Sequence, residues 1–217
     1  MRRFKNIGLF ITAVILSSCQ VTEKEVTPSS KNSESIKNLL TDIKPTYEDE
    51  DVNAVIEIPS GSIEKWEINK VTGIIEREFV DDLPRTIKYV GYPGNYGFIP
   101  QTLLSKENGG DGDPLDVIVL GPPEKRSSVI KSKIIGILYL KDRGEQDDKL
   151  IAVSSNSPMY HMNTISEMKT EYNGVLDIVQ LWFANYKGPN KMEVLGFGNK
   201  NEALSMLNLA IKEYNSH

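Results

Sequence analysis

The feature that most constrains the fold is a series of short segments with β-strand patterning that fills the middle of the chain. The segments are rich in β-branched and aromatic residues, and turn-forming residues lie between them. Many short strands with frequent turns favour a closed or nearly closed β-barrel over an open parallel sheet. The segments are "NAVIEIP" (53–59), "EKWEIN" (64–69), "GIIEREFV" (73–80), "LDVIVLG" (115–121), "SKIIGILYLKD" (132–142), "KLIAVS" (149–154) and "KMEVLGF" (191–197).

Helical spacing of apolar residues appears only near the C-terminus, in two stripes. The first spans residues 178–186 and is followed by Gly188 and Pro189, which end helices, and the second spans residues 203–214. A β core with helices added late in the chain predicts an α+β protein.

The N-terminus has the pattern of an export signal. Basic residues precede an apolar run at 7–16, and Ser17, Ser18 and Cys19 follow it. The run is shorter than the roughly 20 apolar residues of a membrane-spanning helix. "LSSC" also resembles a bacterial lipobox, which implies cleavage before Cys19 and diacylation of its thiol. We therefore expect a bacterial membrane lipoprotein, anchored by lipid on the periplasmic or cell-surface side. The alternative is an ordinary signal peptide with a coincidental cysteine.

Composition divides the chain into three parts: a signal peptide at 1–18, a flexible tether at 19–51 and a globular domain at 52–217. The tether is predicted because its residues are mostly Ser, Thr, Lys and Glu, with little apolar periodicity. Cys19 is the only cysteine, so no intramolecular disulfide can form. The net charge of −5 argues against broad binding to nucleic acid, which needs a basic surface.

Three carboxylates are crowded into "DGDPLD", where Asp111, Asp113 and Asp116 precede a buried strand. Gly112 and Pro114 favour a turn there, and unpaired carboxylates in one turn would repel one another. Hard cations with oxygen ligands, Mg²⁺ above all, best explain the cluster, since no His or Cys is near. The positions of Pro and Leu exclude an EF-hand loop. Taken alone, the stretch could equally be a solvated turn.

Other charged residues fall on the same strand faces. Asp147 and Lys149 alternate at the end of a second acidic stretch, "KDRGEQDDK". Lys65 and Glu67 likewise share one face, opposite the apolar side chains of their segment, and Glu57 points away from its apolar neighbours. Buried charges are tolerated only when they are paired or bound to metal. This pattern predicts a polar, ion-filled cavity along a strand face where a barrel interior would be apolar.

Cations and phenols accompany these acids. Such groups beside metal-binding carboxylates suit a polyanionic substrate, and phosphate is the commonest such group. Individually, each has a simpler explanation: Tyr186 fits a helix core, and Lys187 fits a helix C-terminus, where a cation is favourable. The residues concerned are Lys65, Arg85, Tyr92, Tyr96, Lys149, Tyr186 and Lys187.

Together these motifs resemble the soluble inorganic pyrophosphatases of family I. "DGDPLDV" matches the family signature, and "VIEIP", "KWEI", "YPGNYGFIP", "DRGEQDDK" and "NYK" recur in family order. The resemblance implies an OB-like, five-stranded β-barrel flanked by α-helices. It also implies hydrolysis of pyrophosphate to two orthophosphates with several Mg²⁺ ions, for which Mn²⁺ or Zn²⁺ could substitute. Family members are hexamers or dimers, so a homo-oligomer is implied as well.

The resemblance also implies roles for individual residues. Asp113 would be the catalytic base that deprotonates the attacking water. The metal ions would be held by Asp111, Asp116, Asp147, Asp142 and Glu67, with Glu57 supporting the network through water. The phosphates would be contacted by Lys65, Arg85, Tyr96, Lys149, Tyr186 and Lys187, with Tyr92 close by. The segment between Gly73 and Tyr92 is longer than in the short bacterial enzymes, so the arginine could be Arg85 or Arg77; spacing favours Arg85.

An alternative function is an inactive lipoprotein on the same fold that binds phosphate or divalent cations. An inactive descendant should have lost several of the acids and cations, and this chain retains them all. The sequence therefore favours the enzyme.

Overall fold

The computed structural model describes residues 37–216, and Cys19 and the signal peptide lie outside them. Within this range no helix is both long and apolar enough to cross a membrane. The strands are β1 (Val52–Ile58), β2 (Trp66–Ile68), β3 (Ile75–Arg77), β4 (Phe79–Val80), β5 (Leu83–Pro84), β6 (Asn95–Phe98), β7 (Asp116–Leu120), β8 (Val129–Asp142), β9 (Glu145–Gln146), β10 (Lys149–Ser154) and β11 (Met192–Gly198). The α-helices are α1 (Ile165–Glu171), α2 (Val175–Asn185) and α3 (Lys200–Tyr214), and 3₁₀ turns lie at Lys106–Asn108 and Pro158–His161.

Five strands pair in a closed ring, in the order β1, β6, β7, β10 and β8, with β8 returning to β1. Strand β11 extends the sheet beyond β8. The pairs are antiparallel except β7 with β10, which is parallel. The predicted α+β class with a five-stranded barrel is confirmed, and the two C-terminal apolar stripes lie in α2 and α3.

Aliphatic side chains fill both faces of the barrel strands. One cluster joins Ile118 and Ile151 to Trp182 and Phe183 of α2. The other joins alternate residues of the same strands, such as Val117, to α3. Burying each such side chain contributes about 1.5–3 kcal/mol. Because α2 and α3 cover different faces, the strands are held from both sides.

The charged groups predicted for the site lie at strand ends, at a bulge and in short hairpins outside the ring. Asp116 and Lys149 are the first residues of β7 and β10, and the parallel register pairs Val117 with Leu150 directly after them. The prediction of a charged cavity along a barrel strand face was therefore wrong in its placement. Aliphatic packing occupies both faces, so the charges collect at the end where the parallel strands begin.

The N-terminal part of the described chain packs against the barrel. Ile43 is 5% exposed and lies in a small apolar cluster beside β1. The Leu39 amide donates to the Gly73 carbonyl at 2.9 Å, and the Gln101 amide donates to the Leu40 carbonyl at 3.0 Å. Residues 38–51, which composition placed in the tether, therefore belong structurally with the domain. A few apolar side chains suffice to dock a segment whose composition is otherwise polar.

Candidate active site

A cavity of about 240 Å³ opens at the end of the barrel where β7 and β10 begin. It brings together nearly every residue that the sequence predicted for the site. Lining it are Glu57, Lys65, Glu67, Arg85, Tyr92, Tyr96, Asp111, Asp113, Asp116, Asp147, Tyr186 and Lys187, together with Ile68, Lys70, Ile87, Phe98 and Pro114. The two predicted residues outside this lining, Asp142 and Lys149, bind members of it.

The acidic turn is shaped by its own backbone. The Asp111 carboxylate accepts a hydrogen bond from the Asp113 amide at 2.9 Å, which closes the turn. Gly112 has a φ of +89°, a conformation that glycine adopts without strain, and its amide donates to Leu104. Asp116 then enters β7, so the strand holds this carboxylate beside the other two.

Lys149 is the buried centre of the cluster. Its side chain is 3% exposed, and its ammonium donates to the carboxylates of both Asp116 and Asp147. Burial opposes the charge, but the two carboxylates outweigh it and raise the pKa of Lys149. The ammonium therefore stays protonated. Its positive charge allows the two carboxylates to lie close to each other without repulsion.

A β-bulge directs Glu57 into the cavity. The register of β1 with β6 shifts between Ile56 and Ile58, and such bulges re-aim a side chain. Glu57 is 5% exposed, and one of its carboxylate oxygens accepts from the Ile68 amide at 2.7 Å. Burial raises the pKa of Glu57 to about 8. Glu57 thus ties the β2–β3 hairpin to the barrel.

Lys65 and Glu67, which were predicted to share a strand face, form an ion pair. Lys65 Nζ lies 2.8 Å from Glu67 Oε1. Burial opposes the Lys65 charge, but neighbouring Tyr92 and the carboxylates of Glu67 and Glu57 raise its pKa. Burial also opposes the Glu67 charge, yet Lys65 holds the pKa of Glu67 below its usual value. Both groups are charged at neutral pH.

The structure separates the two candidate arginines. Arg85 lines the cavity and binds Glu78 at 2.5 Å. Arg77 binds Glu64 at 3.0 Å and lies over the Trp66 ring, outside the cavity lining. This placement supports Arg85 as the phosphate contact.

An aromatic wall holds the three tyrosines. Trp182 stacks on Tyr186 with ring centroids 4.4 Å apart, and it contacts Tyr92 at 4.5 Å. The indole nitrogen of Trp182 donates to the Val90 carbonyl, which fixes the ring. Tyr92 lies 5.3 Å from Tyr96. Burial raises the pKa of all three phenols, so each can donate its hydrogen to an anion.

Asp142 marks the far side of the site. Its Oδ2 atom accepts from Lys187 Nζ at 2.7 Å, whereas its Oδ1 atom is buried without a hydrogen-bond partner. Burial opposes the Asp142 charge, but the Lys187 hydrogen bond keeps its pKa low. A buried, ionised oxygen without a partner is costly unless a cation or a donor reaches it.

The acidic side chains of the site suit hard divalent cations. All of them offer carboxylate oxygens as ligands, and the lysines that now balance their charge could be replaced by a metal ion. In the described part of the chain, no three metal-ligating side chains already surround a single point. Lysine ammonium groups instead contact the carboxylates of Asp113, Asp116, Asp147 and Asp142.

Sequence reasoning missed Lys70 and Glu78. Lys70 lies on the turn between β2 and β3 and pairs with Asp113 across the cavity. Glu78 binds Arg85. Neither contact has a local sequence signal. Only the position of Lys70 close to the "KWEI" motif could have suggested that Lys70 belongs to the site.

Comparison with known proteins extends the resemblance. The family described as inorganic pyrophosphatase matches residues 54–215. Soluble inorganic pyrophosphatase 2 of Chlamydomonas reinhardtii is 37% identical over 179 residues, covering 76% of this chain and 82% of that protein. The inorganic pyrophosphatase of Campylobacter jejuni is 36% identical over 167 residues, covering 75% and 91%. The crystal structure of the Thermus thermophilus inorganic pyrophosphatase superposes with a TM-score of 0.69 at 30% identity, covering 82% and 99%.

Proposed function

This chain belongs to the inorganic pyrophosphatase family and hydrolyses inorganic pyrophosphate to two orthophosphates, and we propose that it does so in the carboxylate-lined cavity, with Asp113 as the base. The observation that carries the proposal is the convergence of acids, lysines and phenols from distant parts of the sequence on one cavity. Isolated solvated turns would not be expected to meet in this way.

Asp113 is the acid best suited to take a proton. It lies at the centre of the acidic turn, and its side chain is 41% exposed, so water reaches it. A carboxylate within hydrogen-bond reach of a water can accept its proton during attack on phosphorus. Lys70, which pairs with Asp113, would leave the carboxylate as the charged substrate enters.

The cations and phenols receive the phosphates. Lys65, Arg85 and Lys187 line the cavity and neutralise charge on the leaving phosphate. The protonated phenols of Tyr92, Tyr96 and Tyr186 add hydrogen-bond donors without adding charge. Water attacks pyrophosphate only slowly without a catalyst, so the cations and the phenols must act together.

Asp111, Asp116, Asp147, Asp142 and Glu67 would hold several Mg²⁺ ions, with Glu57 supporting them. When bound, such ions would lower the pKa of a coordinated water and neutralise charge on the phosphate oxygens. Support comes from the oxygen-only donor set and from the unpartnered Oδ1 atom of Asp142. Mn²⁺ or Zn²⁺ would substitute in the same oxygen sites.

Release of orthophosphate tests this function. The purified protein should release two orthophosphates per pyrophosphate when Mg²⁺ is present and none after chelation. The Asp113→Asn variant should fold, as judged by circular dichroism, and lose most of this activity. No release by folded wild type with metal would leave the inactive, phosphate-binding lipoprotein as the better interpretation.

We also propose that Cys19 carries the lipid anchor and that the enzyme lies on the periplasmic or cell-surface side of a bacterial membrane. The support is the basic, apolar and "LSSC" sequence at residues 1–19. Metabolic labelling with a fatty-acid analogue in a bacterial host tests it: the wild type should be labelled and the Cys19→Ser variant should not. Labelling that survives the substitution would refute the anchor.

A further inference from the structure

A short segment before the barrel, residues 38–43, contacts the hairpin that carries part of the active site. We call these residues the strap. The Leu39 amide donates to the Gly73 carbonyl at 2.9 Å, in the turn between β2 and β3. A Cβ atom at Gly73 would lie 2.1 Å from Cγ of Asn38, so the Asn38 side chain rests directly against this turn. The strap precedes residues 54–215, which match the family.

The β2–β3 hairpin lies outside the strand ring. Its two strands form a separate sheet, in which Glu67 pairs with Glu76. A hydrogen bond from the Ile68 amide to the Glu57 carboxylate, 2.7 Å long, joins β2 to β1. A two-stranded hairpin is only marginally stable by itself in water. The position of this hairpin over the cavity therefore depends on what packs against it.

An apolar cluster fills the space between the strap, the hairpin and the barrel. It joins Leu39, Leu40 and Ile43 of the strap to Ile68 and Ile75 of the hairpin and to Phe98 of β6. Ile68 and Phe98 also line the active-site cavity. The strap thus packs against the inner wall of the site, although it contributes no residue to the lining.

The strap has a fixed conformation of its own. The Asn38 side chain accepts from the Leu40 amide at 2.9 Å and from the Thr41 amide at 3.3 Å, and the Asp42 carboxylate accepts from the Asn38 amide at 2.8 Å. Gln101, which follows β6, donates its amide to the Leu40 carbonyl at 3.0 Å and its side chain to the Thr41 carbonyl at 2.6 Å. These bonds fasten the strap to the barrel side of the hairpin.

We propose that the strap is a positioning element for catalysis, which holds the β2–β3 hairpin so that Lys65 and Glu67 face the acidic turn across the cavity. The proposal rests on the proposed function, in which Lys65 contacts a phosphate and Glu67 would hold a metal ion. The acidic turn leads into the barrel at Asp116, whereas Lys65 and Glu67 belong to the hairpin. A displacement of about 1 Å between such groups can cost about 100-fold in rate.

Steady-state kinetics of pyrophosphate hydrolysis tests the strap, at one saturating concentration of free Mg²⁺ and with circular dichroism to show that each variant is folded. Leu39→Ala/Leu40→Ala removes the packing on the hairpin, and Leu39→Met/Leu40→Met keeps the apolar volume. The matched control is Ile134→Ala, which destabilises the fold from the cluster under α3. Ile134 is 1% exposed and pairs with Ala152 in the middle of the barrel.

The KM for pyrophosphate should rise about three- to tenfold in the Ala double variant, because Lys65 no longer meets the phosphates of the bound substrate. It should stay within about twofold of wild type in the Met double variant and in Ile134→Ala. An unchanged KM in the Ala double variant, an equal rise in either of the other two, or a loss confined to kcat overturns the proposal. If the Ala double variant does not fold, Asn38→Ala takes its place under the same criteria.

Hydrogen exchange of the metal-free proteins gives a readout that does not depend on activity. If wild type releases no orthophosphate, the proposed function fails, but this comparison still decides the role of the strap. Amides of the hairpin, Ile68 above all, should exchange about tenfold faster or more in the Ala double variant, with a smaller change in β7 and β10. Unchanged exchange in the hairpin, or equal acceleration in the hairpin and the barrel, refutes the positioning role.

Discussion

Lys70 and Asp113 pair across the active-site cavity, although 43 residues separate them in sequence. Lys70 projects from the turn between β2 and β3, where the Asn69 side chain accepts from the amides of Val71 and Thr72. The backbone of Lys70 is therefore held, while its long side chain is free to leave. With side chains 57% and 41% exposed, the pair contributes at most about 1 kcal/mol and is easily exchanged.

Removing Lys70 should strengthen metal binding. In Lys70→Gln the ammonium no longer competes for the Asp113 carboxylate, so the affinity for Mg²⁺ should rise about two- to tenfold. Isothermal titration of the metal-free protein measures it. Lys125→Gln, which removes an exposed charge elsewhere, should leave the affinity near that of wild type. An affinity for Mg²⁺ that is unchanged or lower in Lys70→Gln contradicts the competition.

Substitution of the acidic turn should abolish turnover without unfolding the protein. Asp113→Asn and Asp116→Asn should each lower kcat by about 10²–10⁴-fold, the range for losing a general base or its support. Steady-state kinetics measures kcat, and thermal unfolding checks the fold. Glu145→Gln, at an exposed position in β9, is the control and should retain activity. Wild-type turnover by Asp113→Asn would rule out this residue as the base.

Lys149→Met should destabilise the metal-free protein. The change leaves the Asp116 and Asp147 carboxylates facing each other without their shared ammonium. Because both acids are partly exposed, the free energy of unfolding should fall by about 1–3 kcal/mol, less than for a fully buried pair. Urea denaturation measures the loss, and added Mg²⁺ should recover part of it. A variant as stable as wild type without metal would show that these acids do not need the lysine.

Glu57 should make stability depend on pH. Its folded pKa of about 8 lies above the usual 4.5, so between these values the folded state binds more protons than the unfolded state. The free energy of unfolding should therefore fall as pH rises from about 4.5 to about 8, by at most about 1.4 kcal/mol per pH unit from this group. Metal-free Glu57→Gln should lack this contribution. Denaturation curves of both proteins across that pH range measure the difference in the free energy of unfolding. Parallel pH profiles would contradict the raised pKa of Glu57.

The segment before β1 should contribute to stability. Ile43→Ala removes a buried side chain and should lower the free energy of unfolding by about 2–4 kcal/mol. Lys44→Ala, at a neighbouring exposed position, should change it by less than about 0.5 kcal/mol. Urea denaturation of both variants decides between a docked segment and a free tether. Equal stabilities would favour the tether.

Local alternation was sufficient to predict that the residues of two ion pairs in the site share a strand face. Lys65 with Glu67, and Asp147 with Lys149, are two residues apart on strand-like segments, so their side chains share a face. Asp142 and Lys187 were both predicted as site residues, but their contact depends on the pairing of β8 with β11 and could not be read locally. The same holds for Lys70 with Asp113.

Strand β6 was not predicted, because "GYPGNYGF" contains the residues typical of turns. The barrel requires a strand there, and it requires glycine at position 97, where a Cβ atom would lie 1.8 Å from the Val55 carbonyl oxygen. That requirement comes from the neighbouring strand and is absent from the local pattern. Helix α1 was missed because its seven residues offer too few turns for a clear stripe.

The parallel pairing of β7 with β10 has a consequence for the order of folding. Parallel neighbours cannot be joined by a tight turn, and the chain between these two contains the whole of β8, which pairs with β10 on its other side. Asp116 and Lys149 therefore meet only after this long excursion has returned. A hairpin or half-built sheet leaves Asp116 apart from Lys149 and Asp147, so the acidic site is complete only once β7 has paired with β10.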